Sequence, residues 1–363
     1  MFDWIPSTVY TEVHYNILLA IVFIIVIYCL VYDLNDHVGI IIISYLGACY
    51  AIFLTLYMGL RPLSGGFGDS WHYARAYQKL QQGSDVIIKK DYVFNYFMAY
   101  CSKFMDVKGF FLLCDIIYIL PCYLFSKRYF GIYWFFAFFI FVGSFSFWSF
   151  GVNGIRNGLG ASLFILGLYF YKQKLLMYAS FLLSYFMHAS LIIPIISLLI
   201  SGIYKNPKMY IYIWIASIPL SLIGGSVWAN LFASLGFAED RTQGYLVGGE
   251  KFQDQFSQTG FRWDFLTYSA SAVFAGYYFI FKKNITDRFY IHMFGVYCIA
   301  NAFWVLVITA AFSNRFAYLS WFLMPAIIAY PMFRYKMWKD QYKTFGIILL
   351  IYFMFTYFMN VIK

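Results

Sequence analysis

Twelve apolar runs recur along this chain, near 15–32, 38–60, 109–126, 130–150, 155–171, 174–188, 190–204, 209–225, 263–281, 289–311, 316–333 and 344–361. A helix rises about 1.5 Å per residue and the hydrocarbon core is about 30 Å thick, so about 20 apolar residues make one crossing. Runs of this length and number commit the chain to a bilayer. Composition agrees, with 63% of the residues hydrophobic and only 12% charged, where a soluble domain is roughly half apolar. The expected fold class is all-α: a polytopic integral membrane helical bundle of about 12 transmembrane segments. It forms one integral membrane domain across residues 1–363, with outer loops at 61–108 and 226–262.

Lysine and arginine in short loops mark the cytoplasmic side. SKR (126–128), KQK (172–174), KNPK (205–208), KKNITDR (282–288) and RYKMWKDQYK (334–343) hold 13 of the 26 basic residues and fall on one side under this span order. The two long loops then face outward. The N-terminal MFDWIPSTVYTEVHYN lacks the basic n-region and small-residue cleavage site of a secretory signal, so the first span is expected to be kept.

The basic residues differ in kind as well as number. Ten of the 13 in those inner loops are lysine, whereas six arginines stand elsewhere: Arg61, Arg75, Arg156, Arg241, Arg262 and Arg315. Residues 129–171 lie between two basic loops of the same face and must go out and come back. Their turn falls near residue 150, at Gly151, Asn153, Gly154 and Arg156. The same reasoning sets Ser313, Asn314 and Arg315 at the turn of 289–333. It sets His188 at the turn of 174–204, a segment that would be about 46 Å long as one helix. The stretch GGFGDSWHYARAY (65–77) opens on that face too.

An arginine in the bilayer region costs about 2.5–3.5 kcal/mol, and one charge-assisted hydrogen bond returns about 1.5–3 kcal/mol. Arg156 can snorkel from a helix end, or it can hold an anion. No carboxylate lies near it in sequence, and a planar guanidinium matches phosphate geometry. The neighbouring glycines are expected to admit close backbone approach and positive-φ turns. His188 reads as a hydrogen-bonded structural group or as a base. Asp69 reads as the N-cap of the helix that follows it, or as a general base or sugar ligand with Trp71, Tyr73 and Tyr77 beside it. Interfacial belts account for most tyrosines in the chain.

Other chemistries have little to stand on. Cys29, Cys49, Cys101, Cys114, Cys122 and Cys298 are scattered without a CxxC pair, so neither a metal site nor a disulfide framework is indicated. No cofactor is expected. The net charge of +10 is spread along membrane flanks rather than clustered for nucleic acid, and anionic membrane lipid is its electrostatic partner.

Three stretches together resemble the EpsG family, relatives of the Wzy polymerases that lengthen O-antigen and exopolysaccharide chains. GDSWHYARAY (68–77) looks like the family's D-x-x-x-Y segment after the second span. GIRNGLGASLFILGLYFYKQKLLMYASFLLSYFMHASLIIP (154–194) is similar to its arginine, small-residue helix, basic loop and histidine. SNRFAYLSWFLMPAII (313–328) is like its arginine before a late span. Ser70 stands where threonine is frequent, and Asn157 where glutamine is usual.

The resemblance implies a glycosyltransferase-C-like fold in the bacterial inner membrane, with an active site facing the periplasm. It implies polymerisation of undecaprenyl-diphosphate-linked oligosaccharide repeat units, with such lipid-linked oligosaccharides as donor and acceptor, and a chain-length regulator protein as a further partner. On that reading Arg156 and Arg315 hold the donor diphosphate and stabilise the departing charge. Asp69 or His188 takes the acceptor proton in an inverting, metal-independent transfer. Arg61, Arg75, Arg241, Arg262, Trp71, Tyr73, Tyr77, Asn153, Asn157 and Asn314 are the expected substrate contacts. Loop 226–262 reads as a lid or glycan-recognition surface. Two further readings use the same arginines: a transporter or flippase of lipid-linked sugars, and an O-antigen ligase-like transferase.

Overall fold

The computed structural model describes residues 2–32, 37–85, 90–234, 260–310 and 313–362. Among the described residues the regular structure is entirely helical. Seven runs are long and apolar enough to cross a membrane: Tyr10–Val31, Gly39–Gly59, Val107–Val142, Pro207–Gly225, Arg288–Leu306, Ser313–Arg334 and Gln341–Ile362. The chain is a multi-pass membrane protein. Helices occur at each of the twelve expected places, but among the described residues only these seven runs reach spanning length, so a count of about twelve goes beyond what helix length establishes.

Three expectations need correction. The run 130–150 is not one helix: α6 (Trp134–Val142) and α7 (Phe145–Val152) are separated at Gly143 and Ser144. At about 1.5 Å per residue neither is long enough to cross alone. The loop expected at 226–262 is also shorter, because the helix Pro207–Ser234 continues past a break at Gly224, whose φ of −136° and ψ of 30° are not helical. Nor is 61–108 a plain loop, since it carries α3 (Ser70–Gln81) and α4 (Tyr92–Cys101).

Two compact units emerge, Met1–Ala189 with Met332–Lys363, and Ser190–Pro331. The first contains α1 (Tyr10–Val31), α2 (His37–Gly59), α5 (Val107–Phe130), α8 (Ile155–Tyr169) and α9 (Lys174–Met187) together with α6 and α7. Helix α5 is the hub, packing on α2, α6 and α8. Its ends are chemically defined: Asp106 accepts the Gly109 N–H at 2.8 Å as an N-cap, and Lys127 and Arg128 face the negative end of the dipole. Every residue of α6, WFFAFFIFV, is buried, as expected for a helix apolar on all sides.

The second unit is built on α10 (Ile192–Ile203), α11 (Pro207–Ser234), α12 (Trp263–Tyr277), α13 (Arg288–Leu306) and α14 (Ser313–Trp321), followed by α15 (Met324–Arg334), whose last turn belongs to the first unit. Buried Asn301 of α13 is its polar centre. The Asn301 amide oxygen accepts the Trp214 indole N–H at 2.7 Å, and its NH2 donates to the hydroxyls of Ser269 and Ser320 at 3.3 and 2.9 Å. Four helices therefore meet at one side-chain amide. Helix α16 (Gln341–Tyr357) returns the chain to the first unit, packing on α1.

Candidate active site

Within the first unit, α4, α8 and α9 bring three charged or titratable side chains together. Asp91 stands at the N-terminus of α4, with φ 53° and ψ 49°. That left-handed conformation is tolerated better by Asp and Asn than by other non-glycine residues. Its carboxylate makes no helix-capping bond. It turns inward instead: Oδ2 accepts from Arg156 Nη1 at 2.7 Å and faces His188 Nδ1 at 3.2 Å, and Oδ1 accepts the Ala189 N–H at 2.9 Å.

Each partner is placed by local structure. Arg156 lies in the first turn of α8, after the break at Asn153 and Gly154. His188 ends α9 in extended conformation, and a 3-10 turn, Ala189–Leu191, follows. Helices α8 and α9 pack together, with the Ser184 hydroxyl donating to the Gly160 carbonyl at 2.6 Å. Helix α4 packs on α9.

Arg156 has a second anchor in α3. Its Nε donates to the Tyr73 hydroxyl at 3.0 Å, and its guanidinium carbon lies 5.7 Å from the centre of the Tyr73 ring. The Asp91 side chain is 0% exposed, whereas that of Arg156 is 29% exposed. A ligand can therefore reach the guanidinium while the carboxylate lies beneath it. Burial, the largest influence on Asp91, pushes its carboxyl up. The His188 hydrogen bond, the Arg156 charge and the Ala189 N–H outweigh it and hold Asp91 below the usual carboxylate range.

Asp69 lies one helical turn before Tyr73. It occupies the N-cap position of α3, but its side chain makes no capping bond. Its backbone N–H is received by Asn153 Oδ1 at 2.8 Å, which ties the start of α3 to the α7–α8 turn. The preceding Gly68 has φ of 60°, and a Cβ there would collide with the Asn153 amide. A side chain at residue 68 is excluded on both counts.

A second cluster lies in the same unit. Arg61, 1% exposed, pairs with Asp115 at 3.2 Å and donates to the Met58 carbonyl at 2.6 Å. It also donates to the Ser70 hydroxyl at 2.8 Å and the Val152 carbonyl at 3.2 Å. Ser70 itself donates to Val152 O. Substrate does not reach this guanidinium in this conformation; its bonds join the ends of α2, α3 and α7 to α5.

The remaining expected residues are placed as follows. Tyr77 is buried, stacks on Phe110 at 4.8 Å and donates to the Met105 carbonyl at 2.9 Å. Arg75 is exposed, its guanidinium 4.8 Å from the Trp71 ring centre. Asn157, in the first turn of α8, has a buried amide oxygen with no hydrogen-bond partner among the described residues. In the second unit, Arg262 makes a bidentate pair with Asp264, at 2.9 and 2.7 Å. Asn314 donates to the Tyr318 hydroxyl at 3.3 Å, and Arg315 sits in the first turn of α14, partly exposed. Arg241 and most of loop 226–262 lie outside the described residues.

The glycines after residue 150 do not act as expected. The positive-φ glycines among the described residues are Gly68, Gly83, Gly131 and Gly260. A Cβ at Gly158 would instead strike the Phe150 carbonyl, and one at Gly151 would strike Met58 and approach Asp115. Close helix packing, not turn geometry, demands them. Asp91 is not among the residues expected from sequence, because it precedes Arg156 by 65 residues and sequence proximity does not pair them. The available signal was electroneutrality: a buried arginine needs a counter-charge from somewhere, and loop 61–108 holds Asp69, Asp85, Asp91 and Asp106.

Among the described residues no three His, Cys, Asp or Glu side chains gather as a metal-ligand set. The EpsG family model matches residues 44–363, which include every residue of both clusters. The chain belongs to the EpsG family. EpsG proteins are Wzy-like membrane proteins of the polysaccharide polymerase type. No curated relative and no solved structure matches the chain.

Proposed function

We propose that this EpsG protein is a glycosyltransferase that polymerises undecaprenyl-diphosphate-linked oligosaccharide repeat units at the periplasmic face of the bacterial inner membrane, on a glycosyltransferase-C-like scaffold. The observation that carries the reading is Arg156, held by Asp91 at 2.7 Å and Tyr73 at 3.0 Å yet 29% exposed. A guanidinium fixed in advance stabilises charge without reorganising during the reaction. Its role is to receive the donor diphosphate. The acceptor hydroxyl attacks the anomeric carbon from the face opposite the leaving group, inverting that centre, and the electron pair of the broken bond leaves on the diphosphate. Asp69 and His188 are the two candidates for the acceptor proton.

The test is chain extension in liposomes, with purified protein supplied with its undecaprenyl-diphosphate repeat unit and the lipid-linked glycan resolved on a gel. Wild type is expected to give a ladder. Arg156→Ala, at equal folded yield, is expected to lose it by at least about a hundredfold in rate, the scale of one oxyanion-stabilising donor. Substrate moved across the bilayer without extension would turn the assignment to a transporter.

A further inference from the structure

We infer that Asp91 is a positioning residue that fixes the His188 ring with its proton on Nδ1, making His188 Nε2 the atom that takes the acceptor proton. The inference rests on the transferase reading above.

Asp91 presents its carboxylate to three groups, of which two, the Arg156 guanidinium and the Ala189 N–H, can only donate. An ionised carboxylate only accepts. The third group, His188 Nδ1 at 3.2 Å from Oδ2, must then be the protonated ring nitrogen. In a neutral imidazole this makes Nε2 the basic atom. The rest of the surroundings fix the ring further. Oδ1 holds the Ala189 N–H, the peptide immediately after the histidine, so one carboxylate grips both the ring and the backbone that carries it.

In the transfer the acceptor O–H bond breaks as its oxygen forms the bond to the anomeric carbon. The proton passes to Nε2, and the glycosidic electron pair departs on the lipid diphosphate. His188 becomes an imidazolium facing a carboxylate, which stabilises the charge that develops, and the proton is later released to water.

Asp91→Asn is the informative variant because asparagine also tolerates the left-handed conformation found here, φ 53°, so the backbone is preserved while the charge is removed. The measurement is the 15N spectrum of histidine-labelled protein in lipid nanodiscs, with His188 assigned among the five histidines by its loss in His188→Gln. Extension rates are measured on the same samples. The expected result is a Nδ1-protonated His188 in wild type, loss of that single tautomer in Asp91→Asn, and extension slowed by about a hundredfold or more, as wrong-tautomer variants of other His–Asp pairs are slowed. A Nε2-protonated His188 in wild type, or extension within about twofold of wild type in Asp91→Asn, overturns the positioning role. Absence of extension by wild type overturns the transferase reading and the base role with it, so the two failures are distinct.

Discussion

At Asp91 a single carboxylate answers three donors, and its protonation state governs whether α4, α8 and α9 stay tied. Its carboxyl lies below the usual range, so the sign of its linkage follows. The stabilisation is fully present above the unfolded value of about 3.9 and is lost as pH falls through the lower folded value. Thermal midpoints of wild type and Asp91→Asn should therefore differ by a constant amount between about pH 5 and 8 and converge below about pH 4. A gap that widens on acidification would contradict this. Tyr73→Phe removes the hydroxyl that receives Arg156 Nε at 3.0 Å while keeping the ring beneath it. One such bond is worth about 1 kcal/mol, so the Michaelis constant for the lipid-linked donor should rise about fivefold with folding unchanged.

The elements that carry these residues owe their positions to short contacts between helices rather than to propensity. Asn153, in the turn between α7 and α8, holds the start of α3 through the Asp69 N–H, and Gly68 leaves room for it. Gly68→Ala should therefore lower the thermal midpoint and impair extension together, whereas Gly83→Ala, also at positive φ but with nothing within 4 Å of the added carbon, should cost only the local backbone strain of about 1 kcal/mol. Purified yield and midpoint from a melting curve separate the two. Much of this was legible in sequence: the break at residue 150 and the interruption at His188 follow from apolar run lengths and basic loops, and the helix after Asp69 from its N-cap residue type. What was illegible is pairing across distance. Run lengths say where a helix begins, but not that Asp91 of α4 meets the start of α8, or that Asp115 of α5 meets Arg61. The lengths themselves misled at 130–150, because a helix buried by protein on all sides is as apolar as one facing lipid.

At the scale of the molecule, the two units are stabilised by different means. The second has Asn301, whose amide joins α11, α12, α13 and α14 through Trp214, Ser269 and Ser320. Asn301→Ala leaves those buried groups unsatisfied and should destabilise by about 2–4 kcal/mol, more than the loss of a single hydrogen bond. Urea or thermal melts in detergent measure it, and a loss under 1 kcal/mol would mean that water replaces the amide. The orientation proposed for the first unit is equally open to test. A cysteine in place of exposed Arg75 should react with an impermeant maleimide in intact cells, and one in place of Lys336 only after the membrane is opened. The reverse pattern would put the arginine cluster on the cytoplasmic side.

Helix α6 has a consequence for how the protein is made. Nine buried residues are too few to be held in a bilayer on their own, and part of their cover is synthesised much later in the chain. Phe136 stacks on Phe333 at 5.7 Å and meets Phe345 edge-on at 6.2 Å, and the Gly143 carbonyl at the end of α6 receives the Thr356 hydroxyl at 2.9 Å. A ribosome that has finished α9 has therefore produced every residue of the Asp91–Arg156–His188 cluster but not the helix that seals the core behind it. Until residues 332–363 emerge, the nascent chain exposes an aromatic ridge that quality control can recognise. Loss of helix α16 would be read by the cell as an assembly defect rather than as a defect of chemistry.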